Sequence, residues 1–429
     1  MKCAMRRRLL AFGFVTSSFL CAITACNAIV GVTDVRLKKD SGAGDDADNF
    51  DGQGDDSGND TGPPPPANIL EVALGNTHTC ARKPDGTVKC WGDDTLGQTG
   101  TNGAGDGGGL LEPTATGVTD AIHISSGKNH TCIIRKSGQA QCWGSDADGQ
   151  LGDGTTNAKS PVAVDVKGLT DAISICAGGN FSCAVKKAGG AVCWGDGLSG
   201  QLGAPGVNSS STPVSVVNLT GLTSISCGDL HACAVNASGQ VACWGDNQRG
   251  ELGTGGTGGS NPTPTPLTSL GAVFSVAAAS RGTCALRKNG DVYCWGSNEL
   301  GQLGTGTASI APNPNPVQVI NLKATALWAG ADHACAVKSG GTGTIVCWGA
   351  GYFGQLGDKV TRDDASTPAP TPVDVSGALG AIGVGTGGNH SCAPLSTGSI
   401  LCWGANEHGQ VGDRQTTPQF TPDSVVGYP

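Results

Sequence analysis

The chain has 429 residues, a formal net charge of −9, 71 glycines and only 4% aromatic residues. Its acidic balance excludes the basic stripe that a nucleic-acid binder presents, so no nucleic-acid partner is expected. Nineteen cysteines are too many for a reducing compartment unless they bind metal, and their placement decides between the two.

In chain order, the first element is an export signal. Lys2, Arg6, Arg7 and Arg8 form a basic head, and the run from Leu9 to Ala25 is uncharged and too short for an ordinary membrane span. It ends in Ile23-Thr24-Ala25-Cys26, which is similar to a bacterial lipobox, with small residues before an acylatable thiol. Cys21 is a poorer candidate because Leu20 before it is not small. Residues 1–25 are therefore read as a signal peptide and Cys26 as the lipidated residue. This places the protein in a bacterial cell envelope, anchored to a membrane.

Residues 26–67 carry nine aspartates, many glycines and serines, and Pro63 to Pro66. Without apolar periodicity this stretch cannot repay the entropy of ordering, and it is read as a solvated tether. Asp46, Asp48 and Asp51-Gly52 faintly resemble a calcium loop, but the spacing is wrong and no glutamate closes it. The signal contributes +4 and the tether −6, leaving −7 for the remainder.

From residue 68 to 429 the chain repeats itself. Cys-Trp-Gly recurs seven times, with Trp91, Trp143, Trp194, Trp244, Trp295, Trp348 and Trp403 spaced 50 to 55 residues apart. Such a period marks a solenoid or a propeller. In the first copy, Pro84-Asp85-Gly86 is a turn between two alternating runs. Counting outward from it sets Cys80 opposite Cys90 at a non-hydrogen-bonded pair, where the two strands come closest and a disulfide fits. The same reading pairs Cys132–Cys142, Cys183–Cys193, Cys233–Cys243, Cys284–Cys294, Cys335–Cys347 and Cys392–Cys402. Zinc is disfavoured because cysteines ten apart on one hairpin do not assemble four ligands. Cys3 and Cys21 leave with the signal and Cys26 is acylated, so Cys176 and Cys227 remain; they are expected to be buried free thiols.

Each Trp is followed by a Gly-Gln-Leu-Gly-like tetrapeptide (Gly149 to Gly152, for instance), then a loop of uneven length, then proline with β-branched residues as in Pro161-Val162-Ala163-Val164. Four short strands per repeat with glycine-rich turns describe a propeller blade. The expectation is an all-β, seven-bladed propeller. Its ring should be sealed by pairing Pro422 to Val426 with Ile69 to Ala73 and the first hairpin, because the last repeat has a strand to spare and the first lacks one.

With Cys-Trp-Gly, Gly-Gln-Leu-Gly, Pro-x-x-Val and Gly-x-x-His-Thr-Cys-Ala in this order, residues 68 to 427 resemble the regulator of chromosome condensation repeat family. That resemblance implies a seven-bladed β-propeller. The family includes a eukaryotic exchange factor for a small nuclear GTPase and secreted bacterial members such as a β-lactamase inhibitor protein. The export signal, the acidity and the cysteine pair in each repeat set this chain apart from the nuclear member. They resemble instead the repeats of bacterial surface lipoproteins.

Five histidines, His78, His130, His231, His333 and His390, stand two residues before the first cysteine of their repeats, with Phe181 and Gly282 in the other two. They are read as packing residues rather than as a metal ring; His123 and His408 fall outside the register. No nucleophile, zinc or phosphate-loop motif has its required context, so no catalytic, metal or cofactor residue is nominated. What varies between repeats is the loop after the tetrapeptide: 101–112, 153–160, 204–211, 254–265, 305–315, 358–371 and 413–421. The expected function is a monomeric, non-catalytic scaffold holding a protein or glycan partner on these loops. An enzyme on the same face and, by family analogy, nucleotide exchange are the alternatives. Replacing Cys26 with Ser should move the protein from the membrane to the soluble fraction; membrane retention equal to the parent would remove the anchor.

Overall fold

The structure, a computed structural model, describes residues 70–103, 109–362 and 367–428. The signal, the tether and Cys26 lie outside the described residues. Every regular element is a strand, and the strands form seven antiparallel four-stranded blades. The first blade shows the order that the others repeat: an inner strand Glu71–Leu74, the hairpin strands His78–Arg82 and Val88–Gly92, and an outer strand Leu110–Ala115. Blades five and six share one strand, Ser309–Ala329. It sets Val317 opposite Cys294 and, further along, Trp328 opposite Cys335.

The hairpin register is the expected one, with Cys80 opposite Cys90 and its counterparts aligned in all seven blades. The sixth hairpin is longer by two residues, and its left-handed glycines are Gly340 and Gly343. Between each hairpin and its outer strand the register slips at the Trp, for instance from Cys142↔Val164 to Gly144↔Ser160. The slip frees Pro161 to face the preceding blade. There the tetrapeptide's first residue, Gly97, has a φ of 74°, and a Cβ on it would lie 2.8 Å from the Cα of Pro161. Only glycine fits that approach.

The apolar core lies between blades rather than within them. One cluster joins Ile134, Leu151 and Val166 of blade two to Ile175, Ala177 and Trp194 of blade three. Trp328, the tryptophan outside the repeat register, is 5% exposed, and a Cβ on Gly383 would lie 3.5 Å from its ring. It fills the space left by the short, glycine-rich inner strand Gly385–Thr386 of blade seven.

The ends of the chain do not pair as expected. Gln419–Ser424 is the outer strand of blade seven, with Ser424 opposite Leu401, while Glu71–Leu74 pairs with its own hairpin. The proline-led strand belongs to the hairpin before it, not to the one after it, so the first repeat lacks nothing and the last has no strand to spare. Whole blades meet instead: the Gly388 N–H donates to the Gly75 carbonyl at 3.1 Å.

Candidate functional site

Antiparallel pairing puts the seven hairpin turns at one end of the strands and the Gly-x-x-His turns at the other. The loops that follow each Trp leave from that second end, because the outer strand starts opposite the residue after the Cys-Trp-Gly glycine, as in Ser145↔Lys159. All seven uneven loops therefore open on one face. Residues 104–108 and 363–366 of two of them lie outside the described residues.

What holds that face rigid is a repeated bond between blades. Each repeat tryptophan donates its indole N–H to the main-chain carbonyl at the second tetrapeptide position of the preceding blade: Trp91 to Gln410, Trp143 to Gln98, Trp194 to Gln150, Trp244 to Gln201, Trp295 to Glu251, Trp348 to Gln302 and Trp403 to Gln355, at 2.7–3.0 Å. In five interfaces a hydroxyl joins it on the same carbonyl. Thr79, Thr131, Ser182, Thr283 and Ser391 donate there, and each accepts from a histidine of the preceding blade. The pairs are His390–Thr79, His78–Thr131, His130–Ser182, His231–Thr283 and His333–Ser391, with Nε2 to Oγ distances of 2.7–2.9 Å. Ser–His contacts of this length occur in nucleophilic active sites. Here both groups are buried and the hydroxyl proton is committed to the main chain, so these pairs are latches.

Each latch fixes the tautomer. The hydroxyl spends its proton on the carbonyl, so Nε2 must carry the hydrogen and Nδ1 is left without a partner. A second proton would have no acceptor, and burial lowers these imidazoles from the ordinary 6.5 to about 3 or 4. A glycine three residues earlier makes room for the ring: a Cβ on Gly75 would lie 2.1 Å from His78 Cε1. Blade five has Gly282 in place of the histidine, and there the earlier residue is Ala279.

The two interfaces without the imidazole have lost its partner as well. Phe181 faces blade four, whose hydroxyl position is Ala232, and Gly282 faces blade six, where it is Ala334. Both interfaces carry a substitute. Between blades five and six, the Arg281 guanidinium meets the buried Asp332 carboxylate at 2.7 Å, alongside the shared strand. Between blades three and four, Cys176 and Cys227 form a disulfide.

That bond overturns the expectation of two free thiols. On the inner strands, the residue opposite the first hairpin cysteine points at the following blade's next position. Ser125 Oγ accepts from the Ala177 N–H and Ser226 Oγ from the Ala278 N–H in this way. Cys176 stands opposite Cys183, and Cys227 one place further along, opposite Ala232. Their offset of one residue is the inter-blade register. The Cys183 sulfur lies close by but is bonded to Cys193, so these sulfurs do not form a metal-ligand set. Within the blades, the disulfides Cys80–Cys90, Cys132–Cys142, Cys183–Cys193, Cys233–Cys243, Cys284–Cys294, Cys335–Cys347 and Cys392–Cys402 span Cα distances of 4.0–4.1 Å. Eight disulfides mark an oxidising environment.

The two histidines outside the register do different things. His123 is buried beside the Glu71–Arg82 ion pair (2.6 Å), its Nδ1 3.9 Å from Glu71. His408 lies on the loop face, its main-chain N–H donating to Gln410 Oε1. Also on that face, Arg249 and Arg281 both contact Glu299, at 2.7 and 3.4 Å, linking blades four to six. Tyr352 and Phe353 on blade six hold their rings tilted against each other with centroids 4.7 Å apart, and Leu198 on blade three is 77% exposed. Sequence reasoning singled out none of these six residues; the available signal was that Leu198 and Tyr352 occupy the same place in their repeats, four residues after Trp194 and Trp348.

Such a molecule is a disulfide-stapled β-propeller whose loops crowd one face. The chain belongs to the regulator of chromosome condensation (RCC1) repeat family: its models match at residues 69–98, 121–150, 172–201, 222–251, 275–302 and 381–410, and at 137–185, 189–235, 238–286, 289–337 and 342–393. Among characterised proteins it is 26% identical over 367 residues to the human E3 ubiquitin-protein ligase HERC2, covering 84% of this chain but 6% of the ligase. It is also 26% identical to the mouse secretion-regulating guanine nucleotide exchange factor, covering 71% of each. With the Arabidopsis thaliana ultraviolet-B receptor UVR8 it shares 31% identity over 38% of this chain and 34% of the receptor. The chain thus spans a small part of some relatives and most of others. By structure it is similar to yeast RCC1 (Prp20) bound to Kap60, with a TM-score of 0.70, 18% identity and 84% of each chain covered. For Saccharomyces cerevisiae Prp20p the TM-score is 0.69, again at 18% identity, with 84% and 88% covered.

Two outcomes test the latches. Thr283→Ala should strand a buried N–H of His231 and cost about 1–3 kcal/mol. Adding His231→Phe copies the Phe181–Ala232 pair and should recover part of that loss; a double-mutant cycle with no coupling would refute the latch. Because the folded imidazoles sit below their unfolded value, the unfolded chain binds more protons once the pH drops under about 6.5. The melting temperature should therefore fall between pH 7 and 5.5, and a flat profile would show the histidines to be solvated.

Proposed function

We propose that the protein is an exported, envelope-anchored propeller scaffold that binds a protein or glycan partner on its loop face, with no catalytic role of its own. The observation that carries this reading is the placement of all seven uneven loops on one face of a ring whose other repeat positions are committed to holding blades together. Length varies between repeats chiefly in these loops, which the latches and staples do not use. Function on such a scaffold resides in what the loops present. The exposed Leu198, the Tyr352–Phe353 pair and the Arg249–Glu299–Arg281 chain supply the apolar and charged groups of a protein-binding surface. Yeast Prp20, similar in fold, is described bound to Kap60 and as binding Gsp1p and histones, which favours a protein as the partner. The lipidated Cys26 and the tether would hold the ring at a membrane.

The reading is tested by capture from native envelopes with the full chain, followed by mass spectrometry. Replacing loops 153–160 and 204–211 with Gly-Ser segments should abolish capture while the thermal midpoint stays near the parent's. Capture that survives replacement of every loop, or turnover of a substrate by the purified chain, would overturn it.

A further inference from the structure

The two ends of the ring carry opposite charge. On the loop face, the turns before the histidine positions and the runs from each Trp to the end of its tetrapeptide hold eleven carboxylates and three cations. The seven hairpin turns at the other end (83–87, 135–139, 186–190, 236–240, 287–291, 338–344 and 395–399) hold eight cations and two carboxylates. A net charge of −9 conceals this division.

Apart from Lys83, which lies over the Tyr428 ring at 5.1 Å, the cations of the hairpin face are of two kinds. At the first position of four turns they are neutralised locally: Arg135 meets Asp120 at 2.8 Å, Lys338 meets Asp374 at 3.4 Å, and Lys186 and Arg287 meet Asp171 and Asp291 at 4.0 Å. At the next position, Lys136, Lys187 and Lys288 are exposed and have no carboxylate within ion-pair distance among the described residues. Their backbones are pinned to the linker entering the same blade, through N–H bonds to the carbonyls of Asp120, Asp171 and Ala272 at 2.8–3.0 Å. Three lysines therefore project from equivalent, fixed points of blades two, three and five.

The path of the chain says what this face meets. Glu71 stands opposite Arg82, beside the hairpin turn, and Leu74 opposite Thr79, nearer the loop face. The strand thus enters the ring from the hairpin end, and the described chain begins there at Leu70. We propose that the hairpin face rests on an anionic lipid surface, with Lys136, Lys187 and Lys288 at the contact. The inference rests on the reading of Cys26 as the anchor. One lysine near an anionic bilayer improves partitioning only about fivefold, but several act together, and a covalent anchor raises the local concentration enough for weak contacts to count. In this orientation the acidic face, repelled by the same lipids, points outward with its loops.

The test uses the full exported chain with Cys26→Ser, which carries no acyl group, and vesicles of phosphatidylcholine alone or mixed with phosphatidylglycerol. Binding should appear only with the anionic lipid and weaken with salt. Lys136→Glu, Lys187→Glu and Lys288→Glu together should reduce it by at least about a hundredfold. Lys128→Glu, on the loop face, should leave it unchanged, and both variants should melt like the parent. Equal binding to both vesicles, no binding at low salt, or an undiminished triple variant would overturn the proposal. So would retention on polyglutamate without vesicle binding, which would replace the lipid with an acidic polypeptide. None of these results bears on partner capture by the loop face, which is read with the loop replacements.

Discussion

One carbonyl per blade carries the ring. The main-chain oxygen at the second tetrapeptide position takes an indole N–H from the next blade in all seven interfaces and a hydroxyl in five. A buried carbonyl has two lone pairs and is costly to leave unsatisfied, so a tetrapeptide that presents it must dock against a neighbour. The surrounding glycines follow from that demand. One lets the loop approach the next blade's proline; another clears space for the imidazole that orients the hydroxyl.

Two kinds of bond divide the labour. Seven disulfides lie within blades and cross strands that hydrogen bonds already align, while blades are joined by latches and by the apolar clusters between them. The exceptions support the division. Where Phe181 and Gly282 remove an imidazole, the opposing hydroxyl is also gone, so no polar group is stranded, and a different link spans the interface: Cys176–Cys227 in one case, Arg281–Asp332 in the other. The His390–Thr79 latch between the last and first blades is of the same kind as those inside the chain. The hairpin turns take no part in the latches, so the hairpin face is free to differ in charge from the loop face.

Much of this architecture was legible in the residues. The period gave the repeat number, and alternation outward from Pro84-Asp85-Gly86 gave the cysteine register, because turn and strand geometry are local. The phase of the repeat was not local. Pro161 and Val164 read equally well as the end of one blade or the start of the next, and choosing the next led to a terminal seal that the strand order does not contain. Cys176 and Cys227 failed for a related reason: matching positions in neighbouring repeats look equivalent, whereas contact across an interface requires an offset of one. A signal for the latches was present, since histidine in one repeat goes with Ser or Thr in the following one, and Phe181 and Gly282 go with alanine. Reading it required knowing which repeats touch.

The sequence by itself determined the class of fold, the number of blades and the covalent partners within each hairpin, all of which follow from spacing over a few residues. Tertiary structure alone decided which side of a blade boundary each proline-led strand joins, which two cysteines bridge neighbouring blades, and that the loops and the bare lysines occupy opposite faces. These depend on how one blade rotates against the next. That rotation is set by the shared carbonyl, the tryptophan packed beneath it and the glycines that admit both, over distances of fifty residues that no local pattern spans.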